Sequence, residues 1–266
     1  MRTVKHVWMK TRRSAGRFGA GALAMSSVAF VLAAGGCAHD KTTLLLDAPV
    51  SQRTALDISN PFGSVTVTVD PDADEIEIES RIKDNEAVEQ NGDDDIPAVR
   101  VEAETISQGT GASVTHIEVV PNSANAATAQ VALEVTVPSC DGVRVSAAGD
   151  VVLDGVAGAI SVETTSGSIA VRTGAPVHNP VSLFTTHGDI VLALPSTSQG
   201  LLDVQTPLGM PIVRSNRDRL SETHAEKYKY TGVLNNSDNP ITLRTGHGDA
   251  RITVGNAAKM YLRIFH

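Results

Sequence analysis

Hydrophobic and polar residues alternate through most of the chain after residue 50. The runs Val65-Thr-Val-Thr-Val69, Glu75-Ile-Glu-Ile-Glu79 and Val131-Ala-Leu-Glu-Val-Thr-Val137 change polarity at nearly every step. Successive side chains of a β-strand point to opposite faces, so a period of two indicates half-buried strands. We therefore predict an all-β protein.

A second pattern repeats on a longer scale, a Val or Leu followed by x-Thr-x-x-Gly. It occurs at Val162–Gly167, Leu183–Gly188, Val204–Gly209 and Leu243–Gly248, and Ile58–Gly63 is an earlier copy with Asn60 in place of the threonine. The glycines of the four later copies are 21, 21 and 39 residues apart, so the last interval is close to two periods and is expected to hold one degenerate copy. A fixed period of about 20 residues is typical of solenoids, whose coils stack to bury their apolar faces. The pattern predicts a single-domain β-solenoid, β-helix-like in kind.

The first 36 residues have the composition of an export signal. Six basic residues and no acidic residue lie in this segment, and its second half is apolar. A basic region followed by an apolar one is typical of a secretory signal. The segment ends at Leu32-Ala-Ala-Gly-Gly-Cys37, which resembles the cleavage box of bacterial lipoproteins, with Ala34 where leucine is commoner. We predict a lipoprotein-type signal peptide over residues 1–36 and lipidation of Cys37; an ordinary cleaved signal or an uncleaved anchor is the alternative.

The rest of the chain divides by its pattern. Residues 37–50 form a tether, 51–256 the solenoid and 257–266 a C-terminal cap strand. Within the solenoid, the region 81–130 is polar and irregular, and we expect it to form longer strands with a protruding loop or hairpin. The polar block 215–239 is a second interruption, which Tyr228 and Tyr230 are expected to anchor.

Charge and cysteine content narrow the function classes. Without the signal, 16 basic residues face 30 acidic ones, a net charge of −14. An acidic surface repels phosphates, so nucleic acid and anionic headgroups are poor partners. The two cysteines are Cys37 and Cys140, which leaves no disulfide framework if Cys37 is lipidated. We expect Cys140 to pack as a small semi-buried residue rather than to react.

Three sets of corner residues are candidates for chemistry. Asp150, Asp189 and Asp249 follow equivalent glycines, with Ser168 at the fourth position. A column of acids could bind a divalent cation or form the acid centre of a carbohydrate-cleaving solenoid, but Asp beside Gly more simply caps a turn. Because Ser168 interrupts the column and stacked carboxylates repel, turn capping is the favoured interpretation.

Two histidines and four threonines complete these candidates. His187 and His247 each precede Gly-Asp, but regular stacking would put them three coils and about 14 Å apart, too far to share a metal ion. We interpret them as exposed corner residues. The threonines are expected to form a ladder that stabilises adjacent coils; they are Thr164, Thr185, Thr206 and Thr245.

Several segments resemble the putative adhesin domains of bacterial envelope proteins, a family of β-solenoids known as domain of unknown function 4097. The resembling segments are Asn60-Pro-Phe-Gly-Ser-Val65, Glu134-Val-Thr-Val-Pro138 and the run Gly149–Gly158 through Thr164–Ile169. The resemblance spans residues 50–256. It implies a solenoid fold, and it implies surface binding by analogy only.

We therefore expect an exported, lipid-anchored protein of the cell envelope, for instance of the outer membrane, that faces the periplasm or the cell surface. Its expected role is a non-catalytic adhesin-like binding or scaffolding module, with an envelope protein or glycan as partner and no cofactor. The alternatives are a polysaccharide-processing solenoid enzyme and a sensory or regulatory envelope domain. The enzyme needs paired carboxylates with aromatic residues, and only six aromatic residues follow the signal.

Overall fold

The computed structural model describes residues 30–32, 40–46, 53–84, 99–107, 112–122, 129–215 and 219–255. In these ranges the chain forms nineteen β-strands and no α-helix, so the all-β prediction is confirmed. No helix in the described ranges has the length and apolar character needed to cross a membrane. Residues 1–29 and 33–39 lie outside them, so the signal peptide and the lipidation of Cys37 stay predictions.

The strands form two sheets that share one long strand. Sheet A contains, in spatial order, β1 (Phe30–Leu32), β6 (Val99–Ser107), β7 (Ala112–Pro121), β3 (Arg53–Asn60), β9 (Asp141–Ala147), the second half of β10 (Val151–Thr164), β12 (Val181–His187), β18 (Pro240–His247), β14 (Gly200–Gln205), β17 (Lys229–Leu234) and β16 (Leu220–Ala225).

Sheet B is built in the same way. It contains, in spatial order, β2 (Asp40–Leu46), β5 (Ile76–Asp84), β8 (Ala129–Val137), β4 (Gly63–Val69), the first half of β10, β11 (Ile169–Thr173), β13 (Ile190–Pro195), β19 (Ala250–Gly255) and β15 (Pro211–Arg214).

Each strand of sheet A that leads into a strand of sheet B makes one coil. Seven such coils stack in parallel: coil 1 is β3–β4, coil 2 β7–β8, coil 3 β9 with the first half of β10, coil 4 the second half of β10 with β11, coil 5 β12–β13, coil 6 β14–β15 and coil 7 β18–β19. The solenoid prediction is thus confirmed.

The coils do not stack in chain order. Their spatial order is 2-1-3-4-5-7-6, because coil 1 lies between coils 2 and 3 and coil 7 lies between coils 5 and 6. The 39-residue interval therefore holds no degenerate coil. It holds the antiparallel strands β16 and β17, and the chain then returns to insert coil 7 one position inward.

The core lies between the two sheets. Inward residues of one column, Val67, Leu153, Val171, Leu192 and Ile252, are at most 1% exposed. Burying each such side chain contributes about 1.5–3 kcal/mol. Since the described part of the chain has no helix to supply core residues, the fold depends on these columns of β-branched and leucine side chains.

The irregular regions of the sequence form the ends of the stack. Residues 81–130 supply the last four residues of β5, all of β6 and β7 and the start of β8, so part of this region is a coil of the solenoid itself. The polar block 215–239 contains β16 and β17. Tyr230 packs partly buried against the core and burial raises its pKa, whereas Tyr228 is 43% exposed and does not anchor the block.

Candidate functional site

The corner where sheet A passes into sheet B is lined by a continuous column of glycines. In stack order they are Gly63, Gly149, Gly167, Gly188, Gly248 and Gly209. A Cβ on Gly167 would lie 2.1 Å from the carbonyl carbon of Gly149, and one on Gly209 would lie 1.8 Å from the carbonyl oxygen of Gly248. Close approach of neighbouring backbones therefore requires glycine here. A positive φ adds a second reason only at Gly188 and Gly248, where it is 145° and 143°.

The predicted threonine ladder exists and points inward beside these glycines. The hydroxyls of Thr164, Thr185 and Thr245 donate hydrogen bonds to the carbonyl oxygens of Gly149, Gly167 and Gly188, at 2.7, 2.8 and 2.8 Å. Asn60 takes this place in coil 1, where its amide donates to the carbonyl of Val131 in coil 2 at 3.0 Å. The Thr206 hydroxyl, in the last coil of the stack, is buried without a hydrogen-bond partner among the described residues.

The acidic corner residues form a second ladder, on the outside. Oδ1 of Asp150 accepts a hydrogen bond from the Ser168 amide at 2.8 Å, and the Ser168 hydroxyl oxygen accepts one from the Asp189 amide at 3.3 Å. Asp189 and Asp249 continue the series by accepting from the amides of Asp249 and Met210, at 2.8 and 2.9 Å.

Each side chain of this ladder therefore caps the backbone of the next coil. These oxygens accept from the next coil and not from their own turn, so the predicted turn caps are corrected to caps between coils, and Ser168 continues the column that it was expected to break. Among the described residues, no group of three or more His, Cys, Asp or Glu side chains is placed to hold a metal ion.

The predicted separation of about 14 Å between the two histidines is wrong. His187 and His247 are register partners on adjacent strands β12 and β18, and their imidazole rings stack with centroids 4.6 Å apart. The error came from assuming that coils stack in chain order. Both side chains are exposed, as expected of corner residues.

The free thiol of Cys140 is buried and unreactive in its setting. It is 5% exposed and its Sγ lies 3.3 Å from the carbonyl oxygen of Gly142. Burial raises the pKa of this thiol to about 11, so it is almost entirely protonated at neutral pH. A buried, protonated thiol is a poor nucleophile, so this setting does not favour Cys140 as a reactive group.

The outer face of sheet A carries an exposed aromatic ring with polar neighbours. On this face Phe184 is 41% exposed, and its register partners are Glu163 on β10 and Arg244 on β18. Two residues earlier on the same strands, a row of hydroxyls is formed by Ser161, Ser182 and Thr242. We call Phe184, Glu163, Arg244 and these three hydroxyl residues the aromatic platform.

Arg244 reaches Asp203 on β14, with a nitrogen–oxygen distance of 3.7 Å, so one edge of the platform is an ion pair. No site was predicted at Phe184. Its outward direction follows from the period of two, because it lies next to Leu183, the apolar position of the repeat.

The aromatic platform combines an exposed ring with hydrogen-bonding groups on the outer face of one sheet. Carboxylate, guanidinium and hydroxyl groups offer both donors and acceptors to a polar ligand, and the ring offers an apolar contact. The arrangement can bind a ligand that has hydroxyls along its edges and an apolar face. It provides no nucleophile activated by a neighbouring base.

Comparisons with known proteins agree with this architecture. No curated protein matches the sequence. One similar solved structure is a putative cell adhesion protein from Clostridium sporogenes, with a TM-score of 0.53 at 12% identity over 81% of this chain and 99% of that one. A second is a putative adhesin from Bacteroides fragilis, with a TM-score of 0.31 at 9% identity over 81% of this chain and 97% of that one; we draw nothing from so low a score.

The first of these similarities supports the fold alone. The family assignment is firmer, because the model of the Toastrack family DUF4097 matches residues 38–253, most of the chain. The match covers all seven coils except the last two residues of β19. The chain therefore belongs to the Toastrack DUF4097 family.

Proposed function

We propose that this protein is an exported, lipid-anchored module of the cell envelope that binds a glycan on the aromatic platform and has no catalytic role. The observation that carries the proposal is the position of Phe184. It is 41% exposed on the outer face of sheet A, between an acid and a base and beside a row of hydroxyls. Aromatic residues are enriched at binding interfaces relative to the rest of the protein surface.

The hydrogen bonds of the corner aspartates also support a binding module over an enzyme. Asp150, Asp189 and Asp249, the candidates for a carbohydrate-cleaving centre, all hold the backbone of the next coil. Glycosidases use a pair of carboxylates that flank the scissile bond and are free to exchange protons. Carboxylates engaged in a structural ladder are poorly suited to that role, so the binding module is favoured over the enzyme.

A glycan is favoured over an anionic polymer because of charge. The mature chain has a net charge of −14, so a neutral or cationic ligand approaches it more readily than a polyanion. The name of the Clostridium neighbour, a putative cell adhesion protein, is consistent with surface binding.

Binding is tested with insoluble chitin, an uncharged glycan, as the probe, in a cosedimentation assay. Phe184→Ala should weaken binding about fivefold to tenfold, the usual cost of removing an aromatic anchor. Tyr228→Ala is the matched control, because Tyr228 is 43% exposed and lies outside the platform. Equal binding by both variants would contradict the platform, and release of reducing ends from the glycan would contradict a non-catalytic role.

The lipid anchor is tested separately. Cys37→Ala should move the exported protein from the detergent phase to the aqueous phase on phase separation, since the lipid would then have no attachment site. Retention of the variant in the detergent phase would favour an uncleaved anchor.

A further inference from the structure

The exchange of coils 6 and 7 brings two corner histidines together. His187 ends β12 in coil 5 and His247 ends β18 in coil 7, and the two are register partners on adjacent parallel strands. A shared metal ion was excluded for these residues because regular stacking would put them about 14 Å apart. Their ring centroids are 4.6 Å apart, so distance does not exclude a metal ion at this corner.

The nitrogens of both imidazoles are accessible to a ligand. Each side chain is exposed, and neither ring has a hydrogen-bond or ion-pair partner among the described residues. Two other histidines are instead paired with carboxylates, His116 with Asp57 at 3.2 Å and His224 with Glu226 at 2.9 Å. An imidazole nitrogen that is not occupied in this way can coordinate a transition-metal ion.

The spacing of the two side chains suits one shared ion. Zn²⁺ binds imidazole nitrogen at about 2.0–2.1 Å, so two nitrogens on one tetrahedral ion lie about 3.4 Å apart. The backbones of β12 and β18 are one strand spacing of about 4.8 Å apart. Because both side chains are exposed, rotation about their χ1 and χ2 angles can bring the two nitrogens from the stacked arrangement to the separation that the ion requires.

Ligand type and charge define the class of ion. Imidazole suits Zn²⁺ and Cu²⁺, whereas Ca²⁺ and Mg²⁺ prefer oxygen ligands. Asp189 and Asp249 follow the histidines by two residues at the same corner, and negative charge there attracts a cation. We propose that His187 and His247 together bind one divalent transition-metal ion of the zinc and copper type, with water in the remaining coordination positions.

The ion joins coil 5 to coil 7. Its two protein ligands are 60 residues apart in the chain, so they come together only when the coils are stacked in the exchanged order. A metal ion that binds the folded state and not the unfolded chain stabilises the fold. The site therefore fastens the corner of sheet A at the place where the chain departs from consecutive stacking.

Calorimetric titration of the full chain with Zn²⁺ alone tests the site. His187→Ala and His247→Ala should each weaken Zn²⁺ binding by at least about tenfold, because loss of a residue that merely orients a metal ligand already costs about 10–100-fold. His187→Phe should weaken it equally, since phenylalanine keeps a ring for stacking but has no nitrogen. His224→Ala is the matched control, an exposed histidine outside the pair, and should bind Zn²⁺ as the parent does.

Thermal unfolding gives a second measurement. Saturating Zn²⁺ should raise the Tm of the parent and of His224→Ala and leave the Tm of His187→Phe unchanged. No Zn²⁺ binding by the parent would overturn the proposal, and so would equal binding by the parent and His187→Phe. An equal rise in Tm for these two proteins would also overturn it, because stacking of the rings would then be their only role.

Discussion

His187 and His247 are 60 residues apart in sequence, yet their imidazole rings stack face to face with an interplanar angle of 9°. The contact exists because coil 7 lies directly against coil 5, and coil 6, which precedes it in the chain, lies beyond it. Both ends of the solenoid share this exchange of neighbouring coils. The corner columns of glycine, threonine and aspartate keep their spacing across the exchange, since each coil presents the same residues to whichever coil is next to it.

The threonine ladder predicts a contrast between two equally buried hydroxyls. Thr185 and Thr206 are both 0% exposed, but only Thr185 has a hydrogen-bond partner among the described residues. Thr185→Val should lower the free energy of unfolding by about 1–2 kcal/mol, because the Gly167 carbonyl loses a buried donor. Thr206→Val should be neutral or stabilising. Denaturant unfolding of the two variants measures the difference, and equal losses would contradict the ladder.

The glycine column predicts that a single methyl group disrupts the stack. In Gly167→Ala the new Cβ would overlap the backbone of Gly149, so we expect a loss of at least about 3 kcal/mol or failure to fold. Gly255→Ala is the control, because a Cβ there meets nothing within 4 Å among the described residues. It should stabilise the protein by about 0.5 kcal/mol, because alanine lowers the conformational entropy of the unfolded chain. A mild effect at Gly167 in thermal unfolding would argue against close backbone packing.

The outer ladder predicts that stability depends on the accepting side-chain oxygen of Asp189 and not on its negative charge. Asp189→Asn keeps an oxygen that can accept from the Asp249 amide, whereas Asp189→Ala removes it. The alanine variant should lose about 1 kcal/mol of unfolding free energy and the asparagine variant less than half of that. Addition of Ca²⁺ should leave the Tm of the parent protein unchanged. A rise in Tm that is lost in both variants would instead support a cation site.

Much of this architecture was predictable from the chain, and the reasons differ between features. Strand identity follows from local alternation, as in Val65–Val69, and the ladders follow from the repeated threonine and glycine positions. The order of the coils could not be predicted, because every coil presents the same corner chemistry and the spacing does not say which coil will be the neighbour. The histidine distance was wrong for that reason.

The strands at the coil 6 end of the stack could not be predicted from the local sequence pattern either. The strands β16 and β17 are polar on most of their exposed positions, so their residues resemble a loop in sequence. Alternation along the strand predicts that Phe184 points outward. It does not predict that Arg244 lies beside Phe184, because that contact exists only where coil 7 packs against coil 5. A surface made of coils that are distant in sequence can be predicted only once the stacking order of the coils is known.

The buried thiol predicts a pH dependence of stability. The pKa of Cys140 is raised by burial from its ordinary value of 9.0 to about 11, so the folded state keeps a proton that the unfolded state loses. This group's stabilising contribution is complete below pH 9 and is lost as the pH rises towards 11. Unfolding free energies of the parent and Cys140→Ala should therefore converge between pH 9 and 11. A constant difference across that range would contradict the shift.

The exchanged order of the coils is tested most directly by two pairs of cysteines on the outer face of sheet A. Phe184 and Arg244 are register partners on adjacent strands, whereas Gln205 lies one strand farther, about 9.6 Å from Phe184. A disulfide requires Cα atoms within about 7 Å, and the buried Cys140 does not compete. We predict that Phe184→Cys with Arg244→Cys cross-links readily and that Phe184→Cys with Gln205→Cys does not. The reverse result would show that the coils stack in chain order.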